Sequence, residues 1–60
     1  MTGKELIKLL KKNGWTLDRI KGSHHIMIKE DLTVVVPVQG NREIPKGTLE
    51  SILKHAGLKK

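Results

Sequence analysis

The spacing of apolar residues changes along this chain, and that change constrains the fold more than any other feature. Near both ends, leucine and isoleucine recur every three or four residues, as they do on the buried face of an amphipathic helix. In the middle they alternate with polar residues or form short β-branched runs, which is typical of strands. The order of these patterns predicts a small α+β domain with α-β-β-β-α topology.

The first helix is predicted to begin at a capping box formed by Thr2 and Glu5. Gly14 is placed to end this helix near Asn13, with Trp15 folding back on the last turn. One side of the helix is apolar and carries Leu6, Leu9, Leu10 and, at the edge, Ile7. The other side is basic and carries Lys4, Lys8, Lys11 and Lys12. The basic side either guides a polyanion or an acidic partner, or only keeps the helix soluble.

Three segments are predicted to be strands that pair as an antiparallel meander: 15–20, 23–29 and 33–36. Turns at Gly22 and at Glu30 separate them, and Pro37 ends the third strand because it cannot donate a ladder hydrogen bond. A second helix follows near Pro45, with its apolar face made of Leu49, Ile52, Leu53 and Ala56. Each helix has one face to bury, so we expect both on one side of the sheet, with the other side open.

The length of the chain and its lack of cysteine bound the remaining possibilities. Sixty residues allow one domain, 1–60, with a thin core of aliphatic residues plus Trp15 and Met27. Without cysteine there are no disulfides, thiolate zinc sites or thiol nucleophiles, which favours a reducing cytoplasm. No apolar run approaches the roughly 20 residues that span a bilayer, so we predict no membrane association.

The charge of the chain indicates its class of partner. Twelve lysines and arginines against six acids give a formal net charge of +6, which favours binding to polyanions, nucleic acid first. An acidic protein would be attracted by the same field. Trp15 is the only aromatic residue, so base-stacking platforms are almost absent, and RNA would be held chiefly through its backbone charge.

Two adjacent histidines, His24 and His25, follow Gly22 at the start of the second strand. Neighbours in a strand point to opposite faces, so one histidine faces the helices and the other the open face. Alternation does not decide which, because Ile26 and Met27 are both apolar. Structural histidines are commoner than catalytic ones, but this pair lies beside a turn that suits chemistry on phosphate.

A phosphate could approach the turn backbone at Gly22 while Lys21 neutralises its charge, with Lys29 or Arg19 as further candidates. A neutral His24 could then take a proton from an RNA 2′-hydroxyl, and the resulting alkoxide would attack the adjacent phosphate without metal or cofactor. The proton donor for the leaving 5′-oxygen stays open among His25, a lysine and solvent.

Other chemistries receive less support. The two adjacent histidines diverge and His55 lies on the second helix, so with no cysteine we predict no metal site. His55 is expected to be a helix-end residue that favours the C-terminal dipole. Ser23 has no acid in a motif that would orient a histidine, and we expect it to make a turn hydrogen bond rather than act as a nucleophile.

The order of several motifs closely resembles that of the HicA mRNA interferase toxins of type II toxin-antitoxin systems. The resemblance covers nearly the whole chain and rests on the helix 5–10 and the segments Gly14-Trp15, Lys21-Gly22-Ser23-His24-His25, Val34-Val35-Val36-Pro37, Lys46-Gly47-Thr48-Leu49, Ile52-Leu53 and Ala56-Gly57. It implies a fold like a double-stranded RNA-binding domain and a catalytic role for His24. It also implies mRNA cleavage that blocks translation, and neutralisation by a HicB antitoxin that covers the active site in a hetero-oligomer.

The residues expected to bind RNA or phosphate are Lys21, Gly22, Ser23, Lys29, Gln39 and Lys46. Gln39 departs from the family, which often has a histidine two residues after the proline that ends the third strand; a glutamine there can still hydrogen-bond a phosphate.

Two other classes of function stay open. One is a non-catalytic RNA-binding module, in which His24→Ala would leave RNA binding and biology intact. The other is a protein-binding module that uses the open sheet face or the basic helix, with weak salt dependence of any RNA binding.

Overall fold

The computed structural model describes residues 1–58, so the last two residues of the predicted 1–60 domain lie outside the described part. Its elements are α1 (Gly3–Lys12), β1 (Thr16–Lys21), β2 (His24–Lys29), β3 (Leu32–Pro37) and α2 (Lys46–His55). The strands form one antiparallel sheet in the order β1-β2-β3. The predicted α-β-β-β-α topology is therefore confirmed, with boundaries shifted by one or two residues.

The two helices begin differently. At the start of α1 the Thr2 amide donates to Glu5 Oε1 at 2.8 Å, and the Glu5 amide donates to Thr2 Oγ1 at 3.3 Å. This is the predicted capping box, which satisfies two amides that would otherwise lack acceptors. The N-cap of α2 is Pro45, which offers no side-chain acceptor. Among residues 1–58, no side chain caps the first turn of α2, unlike that of α1.

The two helices end in the same way, with Schellman motifs. The Trp15 amide donates to the carbonyl of Leu10 at 3.0 Å, and the Leu58 amide donates to the carbonyl of Leu53 at 2.8 Å. Each bond spans a glycine with positive φ. Trp15 therefore folds over the end of α1, as predicted, and β1 begins one residue later, at Thr16.

The core lies between the two helices and one face of the sheet, as expected. Met27 in β2 pairs with Val34 in β3, and these residues face α1 and α2 together with Val36. The buried residues are Leu6, Leu10, Trp15, Met27, Val34, Val36, Ile44 and Ile52. Neither helix within residues 1–58 is long and apolar enough to cross a membrane.

Strand β1 extends beyond the cover of the helices, since all six of its residues are exposed. Its pairing with β2 is irregular between Leu17 and Arg19, where Asp18 is an extra residue. This bulge turns Leu17 and Ile20 to the same face, the face that β2 buries with Met27. On β1 these two side chains stay 38% and 53% exposed, respectively.

Candidate active site

His24 is the first residue of β2 and follows the two-residue loop Gly22-Ser23. Gly22 has φ +58°, which is the left-handed conformation that this position of a tight hairpin requires and that glycine adopts without strain. Met27 is fully buried against the helices. Because side chains alternate along a strand, His24 lies on the opposite, open face, and it is exposed.

The pairing places His24 in the middle of a row across the end of the sheet. It lies opposite Lys21 in β1 and opposite Pro37 in β3. Directly opposed residues share a face, and their Cβ atoms lie about 4.5–5.5 Å apart. The row Lys21-His24-Pro37 therefore joins a cation and an imidazole on the open face.

His25 faces the other side of the sheet, between Ile20 and Val36. Its side chain is partly buried, and its Nδ1 atom is inaccessible and has no hydrogen-bond partner within residues 1–58. The sheet thus separates the two imidazoles, and the ambiguity in the sequence is resolved: His24 is on the open face and His25 on the helix face. A single phosphate on the open face can reach His24 and not His25.

Two further contacts hold the end of β3 beside His24. The Val38 amide donates to the carbonyl of Ser23 at 2.7 Å, which continues the pairing of β2 and β3 by one residue. On the other side of β3, the start of α1 lies against Pro37 and Val38 at Gly3. His24 therefore stands on a backbone fixed from two directions, which favours a defined imidazole position.

A groove opens beyond Pro37, between the end of β3 and the start of α2. It has a volume of about 340 Å³ and is lined by Pro37, Gln39, Arg42, Glu43, Ile44, Pro45 and Thr48. The Arg42 amide donates to the carbonyl of Gln39 at 3.1 Å, so these two residues close a turn at its mouth. Because Pro37 lines the groove and pairs with His24, the groove adjoins the candidate catalytic residue.

The N-terminal residue anchors the base of this groove. The Ile44 amide donates to the carbonyl of Met1 at 2.9 Å, and Ile44 is 6% exposed. The Met1 ammonium group donates to a carboxylate oxygen of Glu43. This hydrogen bond raises the pKa of the Met1 ammonium group, and the negative charge of Glu43 adds to the effect. The carboxylate in the groove is therefore partnered by a cation.

The structure brings together most of the residues predicted to bind RNA or phosphate. Lys21, Gly22 and Ser23 adjoin His24, and Gln39 lies in the groove. Lys46 is exposed and is the first residue of α2, directly after groove residue Pro45. These positions surround one end of the sheet.

Lys29 is not part of this group. It is at the other end of β2, roughly 16 Å from His24 at the rise of a strand. Its Nζ donates to the main-chain carbonyl of Asn13 at 2.8 Å, at the C-terminus of α1. Arg19, a further candidate, is on the open face opposite Ile26, and its Nε donates to Asp18 Oδ2 at 3.1 Å.

Sequence reasoning missed Arg42 and Thr48. Arg42 lies in the loop between β3 and α2, and Thr48 in the first turn of α2, so neither shares a motif with His24. The signal that links them is the pairing of Pro37 with His24, which is visible only once the strands are aligned.

The described residues contain no group of three or more His, Asp or Glu side chains suited to a metal ion.

Comparison with known proteins adds an independent finding. A family model described as the HicA toxin of bacterial toxin-antitoxin systems matches residues 3–58. The matched range begins at the first residue of α1 and includes all five elements. A comparison with curated proteins found no match.

Proposed function

The chain belongs to the HicA toxin family of bacterial toxin-antitoxin systems, and on that premise we propose that it is an endoribonuclease that cleaves mRNA and so blocks translation. The observation that carries this proposal is the position of His24. Its imidazole is exposed on the open face, directly opposite Lys21 and beside a tight loop. A base next to a cation suits RNA cleavage through the 2′-hydroxyl, because the base takes the proton and the cation offsets charge on the phosphate.

In this mechanism His24 accepts the proton of the 2′-hydroxyl next to the scissile phosphate. The 2′-oxygen forms a bond to phosphorus, and the bond from phosphorus to the 5′-oxygen breaks. The products are a 2′,3′-cyclic phosphate and, once the leaving oxygen gains a proton, a 5′-hydroxyl. Lys21 offsets the negative charge on the phosphate oxygens as the pentavalent state forms.

The proton donor for the leaving 5′-oxygen is Lys21 or solvent rather than His25. Lys21 shares the open face with His24, whereas His25 is on the helix face and lies opposite Val36. A donor must come within hydrogen-bond distance of the oxygen that it protonates, directly or through one water. The sheet between the two histidines prevents this for His25.

A toxin of a toxin-antitoxin system has an antitoxin as partner, and we assign this role to a HicB-type protein acting in the cytoplasm, where the mRNA substrate is. The row Lys21-His24-Pro37, in which Lys21 and His24 are exposed, is the surface that such a protein would have to cover in order to exclude RNA. A net charge of +6 favours an acidic contact surface on the partner.

The test is cleavage of a labelled mRNA by the purified protein in excess chelator, with His24→Ala and His25→Gln as matched variants. We expect the wild type and His25→Gln to leave 2′,3′-cyclic phosphate ends, and His24→Ala to cut at least about a hundredfold more slowly. Circular dichroism of each variant checks that it is folded. If wild type and His24→Ala both bind RNA and neither cuts it, the protein is a binding module; equal cutting by both removes His24 from the mechanism.

A further inference from the structure

We propose that the groove beyond Pro37 binds the nucleotide next to the scissile phosphate, and that Gln39 and Thr48 select its base. The proposal rests on the ribonuclease function above and adds sequence preference to it. It makes Arg42 a phosphate-binding residue and gives the loop between β3 and α2 a direct role in recognising the substrate.

The first argument is the position of the groove. Because Val38 donates to Ser23, those two residues form a hydrogen-bonded pair, and the neighbouring pair His24 and Pro37 is a non-hydrogen-bonded one. Cα atoms in such pairs are about 4.5 Å apart. Since Pro37 also lines the groove, an RNA strand whose 2′-hydroxyl contacts His24 needs only to cross Pro37 to enter it.

The second argument is the chemistry of the lining. Pro37, Ile44 and Pro45 provide apolar walls, which suit the face of a nucleobase. The side-chain amide of Gln39 can donate and accept hydrogen bonds, and so can the hydroxyl of Thr48. Donor and acceptor groups of this kind distinguish bases by their edges. The lining therefore combines a surface for the base with groups that read it.

The third argument is charge. Arg42 makes no ion pair with another residue among residues 1–58, so its guanidinium is available to a phosphate. Glu43 would oppose a phosphate, but its carboxylate is paired with the Met1 ammonium group. The groove thus presents a free cation and a partnered anion, which favours a nucleotide over an uncharged ligand.

The fourth argument is size. Ligand pockets for small molecules start at about 300 Å³, and the volume of this groove is about 340 Å³. That is room for one nucleotide and not for a duplex. Trp15 is 1% exposed and cannot stack on a base, so the apolar walls of the groove take the place of an aromatic stacking surface.

The test is to map cleavage positions in a randomised RNA pool for the wild type, Gln39→Ala, Thr48→Val and Arg42→Gln. We expect the wild type to prefer a base at one position beside the cut. Gln39→Ala and Thr48→Val should flatten that preference and slow cleavage of the preferred sequence about tenfold, while other sequences change little. Arg42→Gln should raise KM about tenfold and leave the base preference intact.

Ser51→Ala is the matched control, because it removes a hydroxyl from an exposed position of the same helix, outside the groove. It should reproduce the wild-type cleavage map. If the wild type cuts RNA and neither Gln39→Ala nor Thr48→Val changes base preference, the groove proposal is wrong and the ribonuclease function stands.

A second measurement does not depend on cleavage. NMR titration of His24→Ala with short oligonucleotides that carry a 2′-deoxy sugar at the cut position should shift the Gln39 side-chain amide and the Thr48 main-chain amide. Shifts that avoid both residues overturn the groove proposal. If the wild type cuts no RNA, the ribonuclease function fails, and the same titration still decides whether the groove binds a nucleotide.

Discussion

Gly3, the first residue of α1, lies so close to Pro37 at the end of β3 that there is no room for a side chain. A Cβ atom on Gly3 would lie 2.5 Å from the Pro37 carbonyl oxygen and 2.8 Å from a methyl group of Val38. Glycine is needed here for close approach of two backbones. Because Pro37 is the cross-strand partner of His24, this contact connects the start of α1 to the candidate active site.

Gly3→Ala should therefore destabilise the protein by about 1–3 kcal/mol, because the added methyl group must push α1 away from β3. Cleavage of mRNA should fall as well, since Pro37 lies beside His24. Urea denaturation measures the first effect. Gly47→Ala is the control: apart from its chain neighbours and the backbone of its own helix, no atom of residues 1–58 lies within 4 Å of its added Cβ, and a helical alanine should raise stability by up to about 1 kcal/mol. Equal stability of Gly3→Ala and wild type would contradict the close contact.

His25→Leu should raise stability by about 1 kcal/mol and preserve cleavage. The His25 Nδ1 atom is inaccessible and has no hydrogen-bond partner among the described residues, and replacing an unsatisfied buried polar group by an apolar side chain removes its desolvation cost. Thermal denaturation checks the predicted rise in stability, and the mRNA cleavage assay checks that activity is preserved. A folded His25→Leu protein that no longer cuts RNA would return His25 to the mechanism.

The sequence predicted those features of the fold that depend on neighbouring residues. The capping box at Thr2 and the folding of Trp15 over the end of α1 each follow from a few adjacent side chains and are confirmed, and the three strands lie within one residue of their predicted bounds. Packing of both helices on one sheet face also followed from their apolar sides. All of these features follow from local sequence rules and from the need to bury the apolar side of each helix.

The features that depend on register could not be predicted in the same way. Strict alternation places Leu17 and Ile20 on opposite faces, but the bulge at Asp18 turns both to one face. The faces of His24 and His25 were ambiguous for the related reason that Ile26 and Met27 are both apolar. The faces of the two histidines are determined by the helices, which bury Met27 and so identify the side of the sheet that His25 shares.

The candidate site shows the same limit. The segment from Lys21 to His24 is continuous in sequence and was predicted as a unit, whereas the groove with Arg42 and Thr48 exists only because β3 brings Pro37 beside His24. Lys29 was also among the residues predicted to bind phosphate. A strand carries it away from His24, toward the end of α1.

Lys29 and Lys21 should differ in their effects when each is replaced by methionine. Lys29→Met removes a hydrogen bond to the Asn13 carbonyl at the C-terminus of α1, so stability should fall by about 1 kcal/mol. RNA binding by Lys29→Met should depend on salt concentration as it does in the wild type. Lys21→Met should leave stability unchanged and lower the slope of log affinity against log salt by about 1. Urea denaturation and RNA titrations at several salt concentrations test both, and a lower slope for Lys29→Met would restore Lys29 as a phosphate contact.

Stability should rise when a glycine is introduced into the second hairpin loop and fall when the glycine of the first loop is replaced. Glu30 occupies in the second loop the position that Gly22 occupies in the first, with φ +55° and +58°. A side chain in this conformation costs about 1 kcal/mol. Glu30→Gly should therefore raise the free energy of unfolding by several tenths of a kcal/mol, after the greater flexibility of the unfolded chain is included. Gly22→Ala should lower it by about 1 kcal/mol, and a destabilised Glu30→Gly would show that the Glu30 side chain has another role.

Glu5→Gln should change how stability depends on pH. The Thr2 amide, and then the Thr2 hydroxyl, lower the pKa of the Glu5 carboxyl from its ordinary value of 4.5. The unfolded chain therefore binds this proton more readily than the folded protein. The stabilising contribution is complete above about pH 5 and is lost as the pH falls through the lowered folded-state pKa. Wild type should be more stable than Glu5→Gln at neutral pH, and the difference should close in acid. Urea denaturation across this range measures it, and a difference that stays constant down to about pH 3 would exclude the capping carboxylate as its source.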